Sequence, residues 1–187
     1  MSRHLIVASA LAAALLASAT LARADVDVVP YGADGWRYQT YRSAAAVPQD
    51  WAATSVDEST LADGVMPFGS WDQGGAGCPL AAEAKTLWPS PGFLVARHTF
   101  TLPLGSTDVR LYLGLDNNAI VAVNGTIVTS DGIHHENCPA RDDFWVDVPR
   151  QLLNRRGPNV LAILAQDEGK ESWLDVHVVA NDPGALR

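Results

Sequence analysis

Lysine is nearly absent from this 187-residue chain, supplying only 2 of its 13 basic residues against 21 acidic ones, for a formal net charge of −8. An acidic, lysine-poor surface repels phosphate backbones and anionic lipid, so nucleic acid and membrane surfaces are poor partners. A neutral or cationic partner fits better. The chain also lacks a Gly-x-Ser-x-Gly elbow, a P-loop and a dinucleotide-binding fingerprint. Heptads, long amphipathic helices and internal repeats are missing too. What remains, 48% hydrophobic and 18% charged residues over the length of one ordinary domain, is enough to bury a core.

Only one long apolar run exists. Arg3 and His4 precede it, it extends from Leu5 to Ala22, and Ala22-Arg23-Ala24 gives a small-x-small cleavage pattern. Residues 1–24 therefore read as an export signal and 25–187 as the domain, secreted or periplasmic and free of the membrane after cleavage. The alternative is an uncleaved anchor. Cutting after Ala24 removes Arg3 and Arg23 and no acid, which takes the net charge from −8 to −10. Cysteine is as scarce as lysine. In an oxidising compartment the single pair, Cys78 and Cys138, reads as a disulfide rather than a metal site or a nucleophile. Each cysteine precedes a proline in a glycine-rich or polar segment, so the bridge is expected to join two loops.

The domain reads as short strands separated by turns. In Phe93 to Leu102, residues Leu94, Ala96, His98, Phe100 and Leu102 share one face, and Val109, Leu111, Leu113 and Leu115 alternate with Arg110 and Tyr112. Ala119–Val123 and Thr126–Thr129 flank Asn124-Gly125, a dipeptide that tolerates positive φ and marks a two-residue hairpin. Asn124-Gly125-Thr126 is also a glycosylation sequon, which the turn explains without a glycan. Phe144–Val148, Asn159–Gln166 and Ser172–Ala180 supply further strands, and Gln151–Arg156 a single helical turn. The reading is all-β, a sandwich or barrel.

Several stretches then occur in a familiar order: Trp36-Arg37-Tyr38, Trp51, Pro67-Phe68-Gly69, Arg97 to Leu102, Leu111 to Asn117, and Ala122-Val123-Asn124-Gly125. Leu153 with Gly157, Asn159, Val160 and Leu161 completes the series. The sequence resembles a galactose-binding-domain-like antiparallel β-sandwich, the jelly roll found as the sugar-binding-like domain of family 2 glycoside hydrolases. The resemblance covers nearly all of residues 25–187, with Asn117 where the family pattern has a second acid. It implies an ancillary domain, because in those enzymes the chemistry belongs to a separate barrel that this chain is too short to contain. The shared residues are mostly fold residues, and fold alone does not carry function.

Candidate site residues lie in the two loops that the disulfide would tie. Sugars are held by aromatic rings stacked on their C–H faces and by polar groups on their hydroxyls. Trp71 and Trp88 are the expected platforms, with His134, Glu136 and Arg141 as polar partners. The other tryptophans, Trp36, Trp51, Trp145 and Trp173, read as core, and His98 reads as structural. His134-His135-Glu136 falls short of a metal site, since adjacent histidines on a strand diverge and Pro139 stands where a His-Glu-x-x-His motif needs its second histidine. A structural calcium ion would find oxygens at Asp116, Asn117 and Asn118, residues that turn and cap roles explain equally well. No other cofactor is implied. The leading expectation is a non-catalytic carbohydrate-binding module with a loop-built site at one end of the sandwich. The alternatives are a structural or interaction module bound to another exported protein, and a small hydrolase using His134 or His135.

Overall fold

The computed structural model describes residues 24–70, 78–129, 132–169 and 171–182. The expected export segment, apart from Ala24, and Trp71 lie outside them. Period-two alternation builds the fold, because successive side chains of a strand point to opposite faces. In the first of two layers, β12 (Ser172–Asp182) is flanked on one side by β1 (Ala24–Val29) and β4 (Phe68–Ser70). On its other side run the first half of β7 (Val109–Val123) and then β10 (Phe144–Asp147). The second layer runs β3 (Ala62–Gly64), β2 (Trp36–Tyr41), β6 (Gly92–Phe100), β11 (Asn159–Asp167) and the second half of β7. Two short strands, β8 (Thr126–Ile127) and β9 (Ile133–His135), also pair with that second half. Pairing is antiparallel throughout the described residues except for β5 (Thr86–Leu87), which lies parallel to β4.

Two runs expected as separate strands are thus one. Residues up to Asp116 of β7 pair with β12, and residues from Asn118 pair with β11, so this strand passes from one layer into the other. Its inward residues, Leu111, Leu113, Leu115, Ala119, Val121 and Val123, are fully or almost fully buried. They meet Leu161 and Ile163 of β11, Leu174, Val176 and Val178 of β12, and Trp36, Phe68 and Trp88. The hairpin falls where expected, with Asn124 at φ 50° and Gly125 at φ 83°, the positive values that its turn requires. The helical turn expected at Gln151–Arg156 forms at Arg150–Leu152.

The outer faces of the layers differ. The second layer is crossed by the connection from Arg42 to Leu61, whose Trp51 presses onto Val95, Ala122 and Ala162. Beneath it Arg97 is fully buried. Its Nε donates to Glu58 Oε1 at 2.9 Å, Nη1 to the Trp51 carbonyl at 2.7 Å and Nη2 to the Ala53 carbonyl at 3.0 Å. All three guanidinium nitrogens are engaged, so the charge is compensated and the strap is pinned.

Candidate functional site

The outer face of the first layer carries a row of rings fixed by strand register. Trp145 of β10 stands opposite Tyr112 of β7, and Tyr112 stands opposite His177 of β12. The Tyr112 and His177 rings stack at 5.9 Å with 30° between their planes, and Tyr31, in the loop after β1, lies 5.0 Å beyond His177. The strip crosses about 15 Å of surface, given strand spacings near 4.8 Å. Trp145 is 62% exposed and the other three rings are partly exposed. Polar groups line the strip. Asp27 pairs with His177 at 2.8 Å, and Arg110 donates to Asp147 at 2.6 Å beside a shallow hollow of about 150 Å³ that Tyr112 also lines.

The Tyr31 end is built from several directions. Gly32 N–H donates to Asp175 Oδ1 at 3.1 Å, the Tyr31 hydroxyl donates to Asp142 at 2.5 Å, and Arg141 lies 5.6 Å above the ring. Arg141 itself donates to the Glu83 carboxylate. Glu83 ends the 3-10 turn that begins just after Cys78, and Arg141 follows Cys138 by three residues. The expected Cys78–Cys138 disulfide is present, with Cα atoms 5.1 Å apart. It therefore fixes both partners of the ion pair that caps the strip. Asp175, fully buried under this arm, has an Oδ2 with no hydrogen-bond partner, and burial pushes its carboxyl up to about 6. Burial together with the Asp142 carboxylate also drives the Tyr31 hydroxyl upward, so it stays a donor.

A second polar set lies at the rim of the other layer. His134 of β9 faces Asn118 of β7, and its Nε2 lies 3.2 Å from Glu136. Asn118 and Gln166 both donate to Glu168 at 3.0 Å. Behind this set, burial first and then the nearby Asp167 carboxylate raise the Asp116 carboxyl to about 6, against the opposing influence of His135. Among the described residues no three His, Cys, Asp or Glu side chains are grouped to hold a metal ion.

Comparison with solved structures places this architecture. A glycosyl hydrolase family 2 member from Bacteroides cellulosilyticus superposes with a TM-score of 0.57 at 16% identity, over 85% of this chain and 21% of that one. An uncultured Clostridium β-glucuronidase gives 0.53 at 15% identity over 88% and 30%, and a Bacteroides uniformis β-glucuronidase gives 0.51 at 17% over 84% and 18%. The fold is that of the β-sandwich in these family 2 structures. The chain spans less than a third of the length of these enzymes, and identities this low establish the fold alone. No family model matches the sequence, and no curated protein does either.

Within this sandwich the expected loop site divides in two. His134 and Glu136 stay together because β9 belongs to the second layer, whereas beyond Cys138 the chain crosses to the first, where the Ala140 carbonyl lies close against Gly114. Arg141 consequently joins the strip. Trp88 corrects the expectation of a platform: it is fully buried, its backbone N–H donates to the Gly69 carbonyl at 3.0 Å, and its ring offers no face to a ligand. Trp145 corrects the opposite expectation, being exposed rather than core. Trp36, Trp51 and Trp173 are core as expected, and His98 packs on Trp36 at 4.9 Å. Tyr31, Tyr112, Trp145 and His177 escape sequence reading as a group because register, not spacing, aligns them. One local signal was available: Trp145 shares the parity of Asp147, while Phe144, Val146 and Val148 form the inward set.

Proposed function

We propose that this chain is an exported, non-catalytic carbohydrate-binding module that holds its glycan on the outer face of the first layer. One observation carries the reading: the four-ring strip of Trp145, Tyr112, His177 and Tyr31, which no strap among the described residues crosses, while the opposite face is strapped over. Rings in a row stack on successive C–H faces of an extended sugar chain, and flanking groups such as Asp27, Arg110, Asp147 and Arg141 exchange hydrogen bonds with its hydroxyls. The strip is open and long, which suits an oligosaccharide rather than a single ring. His177 paired with Asp27, and Tyr31 paired with Asp142, are preorganised, so little ordering entropy is lost on binding.

Affinity electrophoresis in gels containing soluble neutral polysaccharides tests this. Retardation by at least one polymer, lost in Trp145→Ala and in Tyr112→Ala with the fold intact by circular dichroism, is the expected result. Migration unaffected by every polymer, or retardation that survives both substitutions, overturns the reading.

A further inference from the structure

Under the strap on the opposite face lies a cavity of about 310 Å³ that the strip does not use. Its floor is Val95, Gln39 and Arg97, and its walls include Tyr41, Trp51 and Leu61. This volume sits at the lower end of the range for small-molecule sites, and a half-apolar lining with a few converging polar groups is what such sites show. The connection that roofs it exceeds the usual loop length, and long ordered connections are commonly functional. Arg97 and Trp51 hold that roof in place before any ligand arrives.

Charge narrows the occupant. Asp50 and Asp57 both line the cavity, and among the described residues neither forms an ion pair. Asp57 uses Oδ1 to accept from the Ser59 N–H and hydroxyl, which leaves Oδ2 uncommitted. The cation present, Arg97, is already matched by Glu58. An anionic ligand would meet two carboxylates with no free positive partner. A small ammonium would meet two exposed carboxylates and the faces or edges of Tyr41 and Trp51, groups that attract a cation by charge and by cation–π contact. Gln39, Ser55 and Thr60 add donors and acceptors suited to hydroxyl groups.

We infer that this cavity is a second binding site, separate from the aromatic strip, for a small polyhydroxylated amine such as an amino sugar with a free ammonium group. The test is a two-dimensional NMR titration of the whole exported domain with D-glucosamine, N-acetylglucosamine and glucose. Saturable shifts confined to the strap and to Tyr41 and Val95 are expected with glucosamine, at least about tenfold weaker with the other two sugars. Asp50→Asn, at an exposed and unpaired position, is expected to weaken glucosamine about tenfold without disturbing the remaining spectrum. No saturable shift at the strap, equal response to all three sugars, or undiminished binding by Asp50→Asn overturns the inference. Because the readout is the strap itself, the result stands whether or not the strip holds a glycan.

Discussion

The two outer faces of this sandwich are built by the same alternation and finished in opposite ways. On the second layer the outward positions are Val95, Ala122, Ala162 and Leu164, and the chain spends a long connection covering them. On the first layer they are Trp145, Tyr112 and His177, and among the described residues no comparable segment covers them. Covering apolar surface is the ordinary route to stability. Rings left partly in water depart from that route, and the proposed glycan surface rests on this departure.

Four measurements break or sharpen that contrast. The largest effect is expected from Trp51→Ala, which removes the plug of the covered face and should cost about 3–5 kcal/mol in denaturant unfolding. Next comes Cys78→Ser with Cys138→Ser. Opening a loop closed across 60 residues of sequence should cost roughly 2–4 kcal/mol, and it should also weaken glycan binding by freeing Glu83 from Arg141.

The third concerns pH. Asp175 ionises near 6 when folded and near its ordinary value of 3.8 when unfolded, so the unfolded chain gives up this proton first as pH rises. Its contribution is fully present below about pH 4 and is lost as pH rises toward and through 6, a change of roughly 2–3 kcal/mol for a shift of this size. Melting temperatures of Asp175→Asn against the parent should diverge in the parent's favour as pH falls from 7 to 4. Asp116, raised to about 6 as well, acts in the same direction in both proteins. The smallest stability effect belongs to Trp145→Ala, within about 0.5 kcal/mol of the parent. An unchanged melting curve together with lost glycan retardation would separate the open face from the covered one most sharply.

What could be read from the sequence was local. Asn124-Gly125 announces its hairpin because only certain residues accept its φ values. The strands follow from alternation, and the disulfide from an even cysteine count read together with the expected export signal. The order of motifs placed the family fold. The site was less legible, for a physical reason. Trp88 sits among prolines, reads as loop, and is drawn into the core only because β5 lays alongside β4. Arg141 was grouped with His134 and Glu136 but lies beside Tyr31 instead, since the chain changes layer between His135 and Ala140. The ring strip depends on how three strands and a loop slide against one another, and no single segment records that alignment.

One strand also decides how the molecule comes apart. Because β7 is stitched into both layers along its length, the two sheets cannot peel from each other while its ladder holds. Loss of either face by unfolding should therefore arrive as one event, with the rings on one side and the roofed hollow on the other vanishing at a common midpoint.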